Sequence, residues 1–169
     1  MIIRPAKDGD AQVIGQLWEL LIAYHRELDP ASIPPPAADG AARYAGRVLR
    51  TLSDDSEIVF VAEIDEQIGG YVMGMIVDML PETFEYQRGG LLADIYVDDA
   101  YRSRGVGEAL VRALKNWLYG RGVMSMEWHV ASQNAPGIAF WQKMGGREVM
   151  IRMQTTLTYD DADDNETPE

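Results

Sequence analysis

The sequence predicts a layered α/β (α+β) fold with a mixed, mostly antiparallel central sheet flanked by helices. Three observations carry this. Two β-rich runs, Ser56–Glu63 and Ile68–Val77, are linked by Asp65-Glu66-Gln67. A link that short closes a hairpin and excludes a crossover. Apolar residues recur at helical spacing over 14–28 and again over 106–118. Finally, the apolar run Leu91–Val97 passes through a glycine-bearing loop into the second of those helical stretches.

The elements follow in chain order. Ile2–Arg4 reads as a short strand, and Asp8-Gly9-Asp10 offers helix N-cap chemistry. Ile14, Leu17, Trp18, Leu21, Tyr24, His25 and Leu28 then trace one helical face. Pro30 and Pro34-Pro35-Pro36 stop that helix and stiffen the loop after it. Asp39 is placed to cap a second helix carrying Ala41, Tyr44, Ala45, Val48, Leu49 and Leu52 on one side. After the hairpin, Met79–Gly90 holds Pro81 and a Gly-Gly pair and reads as a loop. Val106, Leu110, Ala113, Leu114, Trp117 and Leu118 form the next helical stripe, ended by Gly120 and Gly122. Ser125–Val130 reads as a strand, Asn134–Lys143 as a helix, and Arg147–Leu157 as a strand alternating Val149, Ile151, Met153, Thr155 and Leu157. Neither repeat nor linker interrupts residues 1–158, so one domain is expected there, with 159–169 a disordered acidic tail.

Composition narrows the function. The chain has 169 residues, enough for one domain with its own core. It has no cysteine, which excludes disulfides, thiolate metal sites and a cysteine nucleophile. Histidine occurs only at 25 and 129, so no metal site is expected. No segment approaches the ~20 apolar residues of a membrane span, and a cytoplasmic protein without membrane partners is expected. Net charge is −12, and six of the 27 acids lie in the last ten residues. That balance offers no counter-charge for nucleic-acid phosphate and leans toward a cationic substrate.

The most telling stretch is Arg102-Ser103-Arg104-Gly105-Val106-Gly107-Glu108, between strand and helix. A helix start presents unpaired N–H groups and a positive dipole end, and glycines let an anion approach the main chain. Arg102 and Arg104 supply further donors suited to phosphate. Glu108-Ala109 follows the last glycine where a P-loop requires Lys-Ser/Thr, and Leu110 stands where a dinucleotide fingerprint requires a third glycine. A diphosphate cradle of another kind, or an ordinary turn, remains.

Two blocks select the cradle. Arg102-x-x-Gly105-x-Gly107 resembles the Q/R-x-x-G-x-G/A signature of the GNAT superfamily of acyl-CoA-dependent N-acyltransferases. Asn134-Ala135-Pro136-Gly137-Ile138-Ala139-Phe140-Trp141-Gln142-Lys143-Met144-Gly145 resembles that family's N-x-x-A-x-x-F-Y-x-x-x-G helix. The resemblance covers roughly residues 1–157 and implies a sheet splayed at the strand before the cradle. It further implies acetyl-CoA as cosubstrate, with backbone amides around Arg104, Gly105, Val106, Gly107 and Glu108 on the diphosphate. The main chain of Ile95, Tyr96 and Val97 would pair with the pantetheine arm like an added strand. Asn134 would touch that arm, although it is equally placed to cap its helix. Many relatives form dimers, so a homodimer stays open.

Transfer of an acetyl group to an amine needs a proton acceptor and a way for a thiolate to leave. Asp94 is the first candidate base, because a carboxylate inside an apolar strand is costly unless paired or functional. Alternation places Asp94 and Tyr96 opposite Ala93, Ile95 and Val97. Glu63, His129 and water are its rivals. Trp141 occupies the place where the family commonly carries a tyrosine acid, and an indole cannot deliver a proton. Tyr96 and Tyr101 are the remaining acids, or coenzyme A leaves as thiolate. Gly137 in place of alanine and Gly146 in place of an aromatic predict loose packing near the arm. Tyr24, His25, Phe84, Tyr86 and Trp128 are candidate pocket residues, and 28–42 and 79–90 the loops expected to choose the acceptor. The expected function is therefore acetyl transfer from acetyl-CoA to a primary amine of a small cationic molecule or peptide. A non-catalytic acyl-CoA-binding or sensing module, and a plain interaction domain, are the alternatives.

Overall fold

The computed structural model describes residues 1–31, 33–78 and 88–157. In chain order these form β1 (Ile2–Pro5), α1 (Ala11–Leu28), α2 (Gly40–Thr51), β2 (Glu57–Ile64), β3 (Gln67–Asp78), β4 (Arg88–Val97), α3 (Val106–Tyr119), β5 (Met126–Glu127) and α4 (Ala135–Lys143). Strand order in the sheet is β1-β2-β3-β4-β5. The first four strands are antiparallel neighbours, and β5 joins β4 in parallel. This is the mixed, mostly antiparallel sheet expected. The hairpin turns at Asp65 and Glu66, whose φ values of 49° and 64° belong to the primed turns that match strand twist.

Each face of the sheet has its own core. On one face, α1 and α2 bring Ile14, Leu17, Leu21, Tyr44 and Val48 onto Val59, Val61, Tyr71, Met73 and Tyr96. On the other, Val106, Leu110, Val111, Leu114 and Leu118 of α3 and Trp141 of α4 cover Ala62, Val72 and Leu92. Period-2 alternation in β2 and β3 feeds both layers. Helix α1 can cross α2 closely because residue 15 is glycine; a Cβ there would stand 2.4 Å from the Ala41 carbonyl oxygen.

Several expectations are corrected. The Asp10 carboxylate does not cap α1 but closes a capping box on the single 3-10 turn at 8–10 that precedes it. It accepts from the Lys7 N–H at 2.9 Å and from the Arg4 guanidinium at 2.6 and 3.2 Å, while Arg4 also reaches Glu63 at 2.6 Å. That fork ties β1, the turn before α1 and β2 together. Burial opposes ionisation of Asp10, but Arg4 and the Lys7 amide outweigh it and hold the carboxyl below its ordinary value. Asp39 likewise pairs with Arg43 at 2.8 Å instead of capping α2. Leu49 is exposed, and Thr51, which donates to Glu57 at 2.6 Å, is buried in its stead.

Strand β4 begins at Arg88, so Gly89 and Gly90 belong to it rather than to a loop. Its cross-strand partners run back to Asp78, and Leu118 of α3 packs where a Gly90 Cβ would be. The expected loop at 79–87, with Phe84 and Tyr86, lies outside the described residues, as does the acidic tail. Strand β5 is only two residues long instead of spanning 125–130. Residues 147–157 form no strand: Val149, Met150, Ile151, Met153 and Leu157 are all more than half exposed. Alternation alone did not make a strand there, because no strand among the described residues pairs with it. No helix among the described residues is long and apolar enough to cross a membrane.

Candidate active site

A cleft of about 430 Å³ opens where β4 and β5 part. The two strands pair only at Gly90–Met126 and Leu91–Glu127. Beyond that point the whole of Leu92–Val97 faces the cleft, with His129 and Val130 on the far side. The parting leaves main-chain groups of β4 without a strand partner. Which groups they are depends on a bulge: Met73 pairs with Asp94 and Gly74 with Leu92, leaving Ala93 as the extra residue. The Asp98 N–H turns toward β3, donating to Gly69. Alternation then aims the peptide groups of Val97 and Ile95 at the open edge. The bulge also corrects the expected facing. Ala93 packs toward the α1–α2 core on the same side as Asp94, while Leu92, Ile95 and Val97 go to the other.

The loop after β4 is built as a cradle. Ser103 and Gly105 have φ of 61° and 77°, both left-handed. The first backbone bond of α3 runs from the Ala109 N–H to the Gly105 carbonyl, and no side chain caps the helix. The amides of Val106, Gly107 and Glu108 therefore lack an intrahelical partner and line the cleft. Glu108 is held outward by Lys143 of α4. Arg102 lies at the cleft, but its Nε donates to the Val97 carbonyl at 3.0 Å and its Nη2 pairs with Asp99 at 2.7 Å. Its guanidinium stands 5.4 Å from the ring centroids of both Tyr24 and Tyr96. Arg104 is exposed, rests over Tyr101 and does not line the cleft.

The far wall is α4. Asn134 Oδ1 accepts from the Gly137 N–H at 2.9 Å, the cap the sequence allowed, and also from the Tyr24 hydroxyl at 3.0 Å. Both bonds use the oxygen, so the Asn134 amide NH₂ is left to donate elsewhere. Gly137 and Gly146 are not signs of loose packing. A Cβ at 137 would stand 2.5 Å from Asn134 Nδ2, and one at 146 would stand 2.6 Å from the Trp128 ring. Trp128 in turn packs on Trp141 with ring centroids 4.5 Å apart, and Trp141 lines the cleft beside Phe140.

Of the candidate bases, Asp94 and His129 line the cleft, and Glu63 lies elsewhere, bound to Arg4. Asp94 has company that sequence reasoning missed. The Tyr44 hydroxyl donates to Asp94 Oδ2 at 2.8 Å from behind the cleft wall. Burial and then the Asp94 charge push that hydroxyl far above its ordinary range, so it stays a donor. Tyr71, beneath it, is pushed up chiefly by burial. His25 lines the cleft near Asp94; burial lowers its pKa against the pull of that carboxylate, and its Nδ1 has no partner. Burial also raises the Tyr96 hydroxyl. In the sequence Tyr44 belongs to an apolar helical stripe, and nothing local connects it to a residue 50 positions away.

With this geometry in hand, comparison with known proteins is informative. Residues 16–146 match the model of the acetyltransferase (GNAT) family. The ribosomal protein bS18 alanine N-acetyltransferase of Escherichia coli is 36% identical over 73 residues, 43% of this chain and 49% of that protein. The chain thus matches about half the length of that curated relative. Among solved structures, a mutant protein from Bacillus halodurans superposes with a TM-score of 0.80 at 21% identity, over 94% of this chain and 100% of the other. An aminoglycoside 6'-N-acetyltransferase from Acinetobacter haemolyticus gives 0.69 at 19% identity, over 95% and 100%. An aminoglycoside N-acetyltransferase solved with CoA gives 0.70 at 18%, over 92% and 93%. At such identities these structures speak to the fold alone.

Proposed function

The chain belongs to the GNAT acetyltransferase family, and from that premise we propose that it moves an acetyl group from acetyl-CoA to a primary amine of a small cationic molecule or a peptide. The observation that carries this reading is one cleft holding both the uncapped amides of 106–108 and the Asp94 carboxylate. The residues fit the cosubstrate. Left-handed Gly105 opens the loop, and a Gly107 Cβ would touch nothing closer than Phe140 at 3.4 Å, so the main chain is approachable by a diphosphate. The Ile95 peptide groups and the Val97 N–H face the parted edge, where a pantetheine amide can add as a strand does, while the Val97 carbonyl is taken by Arg102. The free NH₂ of Asn134 points a donor at the same arm, and Trp141 with Phe140 walls it.

Acetyl-CoA supplies an activated acyl group, a thioester whose carbonyl carbon accepts an amine. Asp94 takes the proton that the ammonium must lose, directly or through water. The nitrogen lone pair forms the C–N bond, the C–S bond breaks, and its electron pair leaves with sulfur as thiolate; the second proton, acidified on the nitrogen once the C–N bond has formed, passes to the departing sulfur or to water. Proximity in the cleft makes a covalent enzyme intermediate unnecessary. Trp141 cannot protonate the leaving group, and Arg102, the cation over Tyr96, is already paired with Asp99.

Thiol release from acetyl-CoA over a panel of aminoglycosides, polyamines and peptide N-termini tests the reading. Amine-dependent release is expected. Tight acetyl-CoA binding with no release for any amine would favour a sensing module instead, and no binding at all would refute the cradle.

A further inference from the structure

We propose that Tyr44 is a positioning residue for Asp94, fixing the direction in which that carboxylate meets the acceptor amine. The proposal rests on the reading of Asp94 as the proton acceptor. Tyr44 does not line the cleft; Asp94 does. The hydroxyl reaches Asp94 Oδ2 from α2 at 2.8 Å, which leaves Oδ1 as the oxygen not spent on this bond.

The Tyr44 ring is itself held on three sides. It stacks on Trp18 of α1 with centroids 5.0 Å apart and 12° between planes, meets Tyr71 of β3 edge-on at 6.1 Å, and has the Arg47 guanidinium 5.8 Å above it. It is 5% exposed. A ring so confined cannot follow a moving carboxylate, so the carboxylate is the partner that is oriented. A charge-assisted hydrogen bond is about twice as strong as a neutral one, and alignment of a catalytic group is worth large rate factors. Another acceptor within reach of the Tyr44 hydroxyl is Met73 Sδ at 3.7 Å, a far weaker one than a carboxylate, and the nearby acids Glu63 and Asp10 are committed to Arg4.

The test compares Tyr44→Phe, Asp94→Asn and the double variant. Phenylalanine keeps the ring and its stack on Trp18, so the fold and the KM for acetyl-CoA should be unchanged, with a modest drop in melting temperature for the lost hydrogen bond. The expected result is a fall in kcat of about tenfold for Tyr44→Phe, a larger fall for Asp94→Asn, and no further loss in the double variant. If Asp94→Asn loses kcat while Tyr44→Phe retains it, the positioning role is overturned and the base assignment stands. If Asp94→Asn keeps full kcat, both fall together. A Tyr44→Phe loss that adds in full to that of Asp94→Asn also overturns the proposal, since Tyr44 would then act apart from Asp94.

Discussion

The two ends of the cleft are made in different ways. The cradle end is main chain: left-handed Ser103 and Gly105, then three amides that α3 cannot satisfy. All of it comes from residues 102–108. The acceptor end is side chain: Asp94 from β4, Tyr44 from α2 and His25 from α1, drawn from positions up to 69 apart in sequence. Tyr24 links the two ends, with its hydroxyl on Asn134, its ring under Arg102 and its edge against His25. An anion site made of backbone survives most changes of side chain, whereas a proton acceptor depends on what packs behind it.

Four experiments press on that contrast. The largest effect is expected from Gly107→Glu. A carboxylate beside the free amides should weaken acetyl-CoA binding about 100-fold or more by calorimetry, with circular dichroism unchanged because Phe140 is at ordinary contact distance. Gly107→Ala should bind nearly normally; strong loss there would show that side-chain volume, not charge, governs this end. Asp94→Asn comes next. It should lower kcat by about 100-fold and leave acetyl-CoA affinity as it was, and a matching loss of affinity would merge the two ends into one.

Asn134→Ala should cost about 1 kcal/mol in stability through the lost helix cap, or roughly 2–4 °C in Tm at this size. It should also weaken coenzyme binding modestly. An unchanged Tm would mean the cap bond contributes nothing. The smallest effect concerns His25, whose pKa is lowered by burial. The unfolded chain therefore binds a proton near the ordinary imidazole value of 6.5 while the folded chain resists it. This contribution to stability is complete above that value and is lost as pH falls toward the lowered one. Denaturant midpoints should decline between pH 7.5 and 5.5, and His25→Gln should flatten the decline. Identical slopes in the two proteins would assign the titration elsewhere.

How much was readable follows the same division. The hairpin, α1, α3 and α4 were legible because each is written in residues close along the chain: a two-residue turn, 3.6-residue stripes, an Asn-x-Pro helix start. Gly137 and Gly146 were misread as slack, since the groups that fill their space, Asn134 and Trp128, are apparent only in three dimensions. The alternation of 147–157 promised a strand, yet a strand exists only with a neighbour. The bulge at Ala93 moved that residue to the side of Asp94, which no period-2 count reveals.

The sequence alone determined the main-chain geometry of the proposed cradle. Its parts are backbone conformations and helix-end amides, set by glycine placement and by where a helix begins, and these are local properties. Tertiary structure decided what Asp94 is. Its hydrogen-bond donor, its neighbouring imidazole and its access to the cleft come from two helices and a parted strand edge far away in the chain. The environment of a charge is a property of everything packed around it, so it exists only once the chain has folded.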